Sequence, residues 1–337
     1  MTADDPVAES TLAATVTVLT YNGERYLAAL LDSVLGQRLE DPFEVLVIDS
    51  GSTDGTLDIV RDRPRVRLHE IPNSEFGHGR TRNLAARLAK GKVVAYLTHD
   101  AVPAHDRWLY ELLKPFDLNP DIVAVMGKQV PRPWCFPLLK NEIRTVFAGF
   151  GPDFGTTVLY EDDFITTDAL RNAVAFYSDV NSAARRSVLT GAIPYRDVSY
   201  AEDQLLGRDV LEAGLLKAYA PRAAVLHSND LTVREYDDRM FDETMGLREV
   251  GIDVARPTLR TVVRMVVRGV LRDQFRILRD PEYSVRRKVF WSLVNPAFHA
   301  QKWRGVRRGT SAPLAERAQR PVSPQVPPAE PESPNHA

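Results

Sequence analysis

The sequence predicts an α/β fold in which a mostly parallel, doubly wound sheet is flanked by helices. Two observations in the first 130 residues support this prediction: apolar, β-branched runs alternate with stretches of helical periodicity, and a short polar loop follows each apolar run. Strands and helices that alternate at this spacing favour parallel strand neighbours. Because 44% of the 337 residues are hydrophobic, the chain can also bury a large core, which excludes global disorder.

The first strand is predicted at 14–19, where Ala-Thr-Val-Thr-Val-Leu is rich in β-branched residues. The next segment predicts a helix, because its apolar residues recur at the spacing of one helix face: Leu27, Leu30, Leu31, Val34 and Leu35. A second strand is predicted at 43–48, where the run Phe-Glu-Val-Leu-Val-Ile ends abruptly at the polar segment 49–55.

The same pattern then repeats. A short helix around 57–60 leads to a strand at 65–69. A helix at 81–90, preceded by two glycines, leads to a strand at 93–97, whose sequence Val-Val-Ala-Tyr-Leu is typical of a strand buried on both faces.

Polar residues follow three of these strands. Asn22 comes after the first strand, Asp49 ends the second, and Asp100 follows the fourth. Ligands of such sheets bind at the carboxyl ends of the strands, so we expect these side chains at one ligand site. Small residues in the segment 49–55 would let the backbone approach a ligand closely, although an ordinary capped loop between a strand and a helix has the same composition.

Four motifs carry a family resemblance. Residues 20–23 (TYNG) and 47–56 (VIDSGSTDGT) resemble the opening of the inverting family-2 glycosyltransferases of GT-A fold. Residues 76–83 (FGHGRTRN) and 97–101 (LTHDA) resemble the rhamnosyltransferase-like branch of that family. The resemblance covers residues 14–235, and it implies a single in-line displacement at the anomeric carbon with inversion.

The resemblance also implies a set of donor-binding residues. Positions that hold the nucleotide base and ribose in the family correspond here to Tyr21, Asn22, Asp49 and Ser52. Arg82 and Asn83 would open a helix near the diphosphate, where cationic and N–H donors suit an anion; a solvated helix charge is the alternative for Arg82.

A later segment, 177–186, resembles the stretch that lines the donor sugar and leads into a helix, and it includes Asn181. The alternative is that this segment is only a capped helix start.

A metal site is implied by the residues Thr98-His99-Asp100, which take the place of the family's Asp-x-Asp motif. Because Thr98 replaces the first acid, Asp100 is the single expected carboxylate ligand. One carboxylate together with substrate phosphates fits Mg²⁺, and His227, which follows the strand 223–226, would complete the shell of Mg²⁺ or Mn²⁺. A structural histidine is the alternative for His227.

The catalytic base implied by the resemblance is Asp203, in the segment 200–206 (YAEDQLL). Its carboxylate would accept the proton of the attacking acceptor hydroxyl. The alternative is that Glu202 and Asp203 are two acids in the first turn of a helix, where they favour the helix dipole.

Charge is distributed unevenly along the chain, since residues 1–255 have a net charge of −12 and residues 256–308 one of +11. In the basic segment an arginine recurs at every fourth position, at Arg260, Arg264, Arg268, Arg272 and Arg276. These arginines are centred opposite Leu259, Val263, Val266, Val270 and Ile277. The pattern predicts an amphipathic helix on an anionic membrane surface. Packing on the acidic remainder of the chain is the alternative; without a nucleic-acid motif, no nucleic-acid partner is expected.

The predicted organisation is therefore a GT-A domain at 1–255, with its nucleotide half ending near 130, a basic helical region at 256–308 and a disordered, proline-rich tail at 309–337. The single Cys135 favours a reducing compartment, the acidic N-terminus does not resemble a secretory signal, and no run of about 18 apolar residues occurs. We expect a cytoplasmic protein, peripheral on the inner face of the cell membrane.

The predicted reaction moves a sugar from dTDP-rhamnose or a UDP-hexose to a polysaccharide or polyprenyl-linked glycan. Two other functions stay open at this point. A nucleotidyltransferase acting on sugar phosphates would share the fold, but the residues 20–23 lack its glycine- and lysine-rich loop. A non-catalytic nucleotide-sugar-binding protein would explain Thr98, although Asp100 and Asp203 are both retained.

Overall fold

The computed structural model describes residues 12–162 and 164–314. Its described strands form one nine-stranded sheet in the order β3-β2-β1-β4-β8-β6-β9-β5, with β7 paired to β9. The strands are β1 Ala14–Thr20, β2 Phe43–Asp49, β3 Val66–Glu70, β4 Val93–Thr98, β5 Val102–Pro103, β6 Ile122–Val130, β7 Thr157–Leu159, β8 Asn181–Arg185 and β9 Leu216–Leu226.

Helices connect these strands and form the C-terminal part of the described chain. They are α1 Glu24–Leu35, α2 Thr56–Arg61, α3 His78–Leu88, α4 Trp108–Leu113, α5 Pro137–Ala148, α6 Asp168–Ala175, α7 Arg186–Leu189, α8 Glu202–Glu212, α9 Val233–Glu249, α10 Leu259–Arg279 and α11 Val285–Ser311. None of the helices within the described ranges combines the length and the hydropathy needed to span a bilayer.

The first four strands confirm the predicted alternation. β1 pairs in parallel with β2 and with β4, and β2 pairs in parallel with β3. The later strands make the sheet mixed, because β8 is antiparallel to both β4 and β6. With β1 between β2 and β4, the carboxyl ends of these three strands lie at one edge of the sheet, which brings the loops after Thr20, Asp49 and Thr98 to the same side.

Helix α3 begins three residues before the predicted start at 81. Gly79 was expected in the loop, but it lies in the first turn of the helix. A Cβ atom at this position would lie 2.1 Å from the carbonyl oxygen of Arg196. This glycine is therefore required by close packing against another backbone segment and not by a turn.

The chain divides into two compact units. The first contains the described residues within Met1–Lys128, Gly151–Asp197 and Glu202–Val225; the second contains those within Gln129–Phe150, Val198–Ala201 and Leu226–Ala337. The core of the first unit packs α1 against the sheet, with Leu27, Leu30, Leu31 and Val34 fully buried. Each such leucine contributes roughly 1.5–3 kcal/mol by leaving water.

The second unit is helical. Its apolar centre joins α5, α9 and α11 through a cluster of buried residues: Phe136, Leu138, Tyr236, Met240 and Phe298. α11 also approaches α9 closely at Gly305 and Gly309, where an added Cβ would lie 2.4 Å from the Asp237 carbonyl oxygen and 2.9 Å from that of Phe241. Glycine is the residue that permits this distance between helix backbones.

The C-terminal helical segment is confirmed as α10 and α11, and α11 continues through Ser311 into the predicted tail. The remainder of that predicted tail, from residue 315, lies outside the described residues. The apolar face predicted for α10 is divided: Ile277 is buried, whereas Leu259 and Val263 are 68% and 62% exposed. One side of α10 therefore packs on the protein, and another apolar side faces solvent.

Candidate active site

The loop after β2 is built around the side chain of Asp49. One carboxylate oxygen accepts the backbone N–H groups of Gly51 and Ser52, each at 2.9 Å, and the other accepts the Ser52 hydroxyl. Gly51 has a φ of +86°, which only glycine adopts at little cost. Asp49 is fully buried, so the structure shows it shaping the loop; its predicted contact with the nucleotide stays a prediction.

The loop after β1 is hydrogen-bonded to the loop after β2 through Asn22. The Asn22 N–H donates to Ser52 Oγ at 2.8 Å, and the Asn22 side-chain oxygen accepts the Thr53 N–H at 2.8 Å. Asn22 has a φ of 47°, in the left-handed region that asparagine tolerates better than most other residues. The structure thus brings Asn22, Asp49 and Ser52 together. Tyr21, which precedes Asn22 in the chain, is half-buried.

Asp100 follows the adjacent strand β4. It is 8% exposed, and one of its carboxylate oxygens accepts the Thr98 hydroxyl at 2.9 Å. The β1 and β4 loops lie very close, because a Cβ on Gly23 would be 3.0 Å from the His99 ring. The three predicted strand-end residues, Asn22, Asp49 and Asp100, therefore share one edge of the sheet.

No group of three or more His, Cys, Asp and Glu side chains within the described part of the chain is arranged to hold a metal ion. A cation at Asp100 would take most of its ligands from phosphate oxygens and water, as Mg²⁺ usually does. A carboxylate oxygen beside a hydroxyl fits such an oxygen-ligand set. His227 lies in the second unit, where its buried ring hydrogen-bonds Gln129 Oε1 through Nδ1 at 3.0 Å.

A buried cluster of charged groups lies around Arg82. Its Nε is 2.8 Å from Asp179 Oδ2, and its Nη1 forms an ion pair with Glu202. All three residues are buried. The second oxygen of Asp179 accepts the hydroxyls of Ser182 at 2.6 Å and Tyr195 at 3.0 Å. Opposite charges and hydroxyl donors together compensate for the loss of water around these groups.

Asp203 lies at the edge of this cluster, in the first turn of α8. Its carboxylate is half-buried and accepts the N–H groups of Asp179 at 3.3 Å and Gln204 at 2.8 Å. Burial, followed by the negative charges of Glu202 and Asp179, raises the pKa of Asp203 to about 8, and Arg82 opposes this increase. A carboxylate with a pKa near neutrality is suited to accept a proton during a reaction.

The backbone before this acid pair is also unusual. Ala201 has a φ of 59° and directly precedes Glu202. Among the described residues, Ala201 and Asn22 are the two non-glycine residues with positive φ. Ala201 borders the acid pair, and positive φ costs more there than at Asn22, because asparagine tolerates the left-handed region and alanine does not.

Three predicted donor contacts are not supported by this geometry. Arg82 is in the second turn of α3, not at its opening, and it is not solvated but buried between two acids, Asp179 and Glu202. Asn83 is paired to the backbone of Tyr195 by two hydrogen bonds of 2.8 and 2.9 Å.

Asn181 is the third of these residues. It is fully buried in β8, where it accepts the Trp108 indole N–H at 2.9 Å. Its amide nitrogen donates to the carbonyl oxygens of Lys128 and Ala223. The geometry therefore indicates that Asn181 holds strands and α4 together, and the segment 177–186 continues as a strand before the short helix α7.

The sequence did not identify Asp179 and Tyr195 as site residues. Asp179 lies within the segment that resembled the family, but nothing local distinguishes it from a surface acid, and its partner Arg82 is distant in the sequence. No local signal marks Arg82 either, because an arginine on a predicted helix is ordinarily solvent-exposed and its burial is known only from the structure.

A scan of protein-family models matches residues 15–190 to the family described as glycosyl transferase family 2. The chain belongs to this family. The enzyme is thus a glycosyltransferase, and the family assignment argues against the alternative of a nucleotidyltransferase.

Two curated relatives agree with this assignment. The chain is 31% identical over 230 residues to the O-antigen chain rhamnosyltransferase RfbN of Salmonella typhimurium, covering 68% of this chain and 70% of that protein. It is also 31% identical over 209 residues to the O-antigen chain rhamnosyltransferase WbaN of Salmonella anatum, covering 61% of this chain and 63% of the relative. The predicted rhamnosyltransferase resemblance is confirmed.

The fold has a counterpart among solved structures. A mannosyltransferase from Pyrobaculum calidifontis, in complex with GDP-Man and Mn²⁺, superposes with a TM-score of 0.53 at 18% identity, covering 89% of this chain and 88% of that one. At this identity the likeness concerns the fold alone, and it confirms the predicted GT-A architecture.

Proposed function

We propose that this glycosyltransferase moves rhamnose from dTDP-rhamnose, or a hexose from its UDP form, to a hydroxyl of a polysaccharide or lipid-linked glycan, with Asp203 as catalytic base. The O-antigen rhamnosyltransferases among its relatives support this donor and acceptor class. The observation that carries the catalytic assignment is the Asp203 carboxylate itself, which combines partial exposure with a pKa raised to about 8.

The proposed reaction is a single displacement, as the family membership implies. The acceptor oxygen forms a bond to the anomeric carbon while the bond from that carbon to the diphosphate oxygen breaks on the opposite face. The proton of the acceptor hydroxyl passes to Asp203 as attack proceeds. Proton transfer to a positioned side chain contributes roughly 10²–10⁴-fold to rate. The backbone N–H groups of Asp179 and Gln204 orient the accepting carboxylate.

Arg82 affects the pKa of Asp203 through its ion pairs with the two neighbouring acids. By neutralising Asp179 and Glu202 it lowers the electrostatic cost of ionising Asp203, which has these two acids as its charged neighbours. Arg82 is therefore a positioning residue, which controls the proton affinity of Asp203 without contacting the donor.

The donor nucleotide would occupy the loops after β1 and β2. Tyr21, Asn22 and Ser52 are half-buried there, within reach of a ligand, while Asp49 holds the loop that presents Ser52. Asp100 on the adjacent strand end would hold a divalent cation. When bound, Mg²⁺ or Mn²⁺ supplies charge neutralisation for the departing diphosphate.

The enzyme is further proposed to work as a peripheral protein on the inner face of the cell membrane. The net charge of +11 in residues 256–308 supports this location, because each basic residue near an anionic surface adds about 1 kcal/mol of attraction. A lipid-linked acceptor would be presented at such a surface.

A panel of nucleotide sugars tests the proposal. Purified protein is incubated with dTDP-rhamnose, UDP-glucose, UDP-N-acetylglucosamine and GDP-mannose, and nucleoside diphosphate release is measured with and without saccharide acceptors. We expect turnover of dTDP-rhamnose or of a UDP-hexose, and a loss of roughly 10²–10⁴-fold in the Asp203→Asn variant. Glu212→Gln, an exposed residue of the same helix, is the matched control and should retain wild-type turnover. Near wild-type transfer by Asp203→Asn would contradict the assignment.

A further inference from the structure

The hairpin formed by α10 and α11 exposes an unusual number of large apolar side chains. Seven of them, between 51% and 78% exposed, are here named the apolar strip: Val263, Val267, Leu271, Leu278, Val285, Val289 and Leu293. Single exposed apolar residues are ordinary on protein surfaces, whereas a contiguous set marks an interaction site.

Contacts between the two helices show which sides face each other. Gln274 Nε2 donates to Ser292 Oγ at 2.8 Å, and Lys288 Nζ donates to the Leu278 carbonyl at 2.9 Å. His299 hydrogen-bonds Asp273 at 2.9 Å, so the helices run antiparallel. Gln274 and Ser292 therefore mark the line along which α10 and α11 meet.

The helical period places the strip along this line. At about 100° per residue, the four strip residues of α10 fall within about 60° of Gln274, and the three of α11 fall on one side within about 100° of Ser292. The buried residues Asp273, Ile277 and Asn295 lie on the opposite side of the line. The strip is therefore one continuous outward surface formed by both helices.

Arginines border the strip on α10. Arg260, Arg264, Arg268 and Arg272 are all exposed, and within the described part of the chain none of them forms an ion pair. On α11 the exposed Arg286 lies at the edge of the strip, about 120° from Ser292. An apolar surface with unpaired cations along its edge is complementary to a partner that has an apolar interior and an anionic outer layer.

We propose that the apolar strip inserts into the interfacial region of an anionic lipid bilayer, with α10 and α11 lying in the membrane plane. Flat insertion agrees with the finding that no described helix can span a bilayer. A second copy of the chain is a poor occupant, because pairing two such faces would bring two rows of unpaired arginines together. The inference rests on the proposed membrane location. It adds to that proposal the residues that make apolar contact with the lipid, which electrostatic attraction alone does not provide.

Vesicle sedimentation with the full chain tests the strip. Vesicles of phosphatidylcholine with about 30% phosphatidylglycerol are compared with pure phosphatidylcholine, at low and high salt. We expect binding to anionic vesicles that leaves a salt-resistant fraction, since apolar insertion is not screened. Leu271→Ser/Leu293→Ser should lower the partition coefficient by roughly 10-fold or more and remove the salt-resistant fraction. Arg264→Gln/Arg268→Gln should instead reduce the salt-sensitive part.

The control is Leu118→Ser/Leu170→Ser, two exposed leucines outside the hairpin, which should bind as wild type. Wild-type binding by Leu271→Ser/Leu293→Ser would overturn the proposal, as would absence of binding to anionic vesicles at low salt. A strip-dependent dimer in sedimentation velocity without vesicle binding would assign the surface to a second copy. Turnover of a soluble acceptor is measured in parallel: transfer without vesicle binding refutes the strip alone, and vesicle binding without transfer refutes the proposed reaction alone.

Discussion

Arg82 and Asp179 form a buried ion pair with an Nε–Oδ2 distance of 2.8 Å, although they lie on segments far apart in the sequence. Glu202 completes the arrangement from the start of α8. Together the three residues connect α3, the segment before β8 and the helix that carries the proposed base. Folding stability and base strength therefore depend on the same guanidinium group.

The pH dependence of transfer should report this arrangement. Because the pKa of Asp203 is raised to about 8, most of this carboxyl group is protonated at pH 7 and cannot accept a proton. We expect kcat/KM to rise with pH through about 8 and then level off. Replacing Arg82 with Met removes the positive charge that opposes the increase, so the rise should move to higher pH, and Arg82→Lys should restore it in part. An unchanged profile in Arg82→Met would contradict the positioning role.

The stability of the same variant gives a second prediction. Arg82→Met leaves Asp179 and Glu202 buried without a counter-charge, which typically costs about 3–5 kcal/mol. Arg80→Met is the control on the same helix, since Arg80 is half exposed and 3.8 Å from Asp197. Urea unfolding should show a large loss in the first variant and less than about 1 kcal/mol in the second.

Chelation tests the proposed cation site. If Asp100 holds a divalent cation against the diphosphate, EDTA should abolish transfer, and added Mn²⁺ or Mg²⁺ should restore it. Asp100→Ala should weaken nucleoside diphosphate binding, measured by calorimetry, only when metal is present. Asp117→Ala, an exposed acid, should behave as wild type. Full activity after thorough chelation would mean that Thr98 marks a metal-independent enzyme.

Lys217 offers a prediction that does not involve the site. Its ammonium is buried and donates to the carbonyl oxygen of Phe176, and burial lowers its pKa to about 7. Between pH 7 and the ordinary lysine range, the unfolded chain binds this proton more strongly than the folded one. The free energy of unfolding should therefore rise with pH in this window. Lys217→Met should flatten that rise, as measured by denaturant unfolding at several pH values; an unchanged slope would assign it to other groups.

The local patterns of the sequence were sufficient for the first four strands and the first two helices, since alternation and helical spacing depend on neighbours along the chain. The strand-end positions of Asn22, Asp49 and Asp100 followed from the same patterns. The role of Arg82 could not be found this way, because Glu202 lies 120 residues further along the chain. The start of α3 was misplaced for a related reason: the packing of Gly79 against Arg196 is a tertiary contact, and a glycine alone resembles a loop residue.

The glycine contact between α9 and α11 links the thermal stability of the helical unit to the hairpin surface. α11 is one continuous helix, with the strip at its beginning and Gly305 and Gly309 seated on α9 near its end. If a bilayer binds the first half of α11 only in the folded hairpin, binding also stabilises the packing of the second half of α11 on α9. Lipid would then act as a thermal protectant of the helical unit, with a melting temperature that climbs with vesicle concentration as for any ligand that prefers the native state.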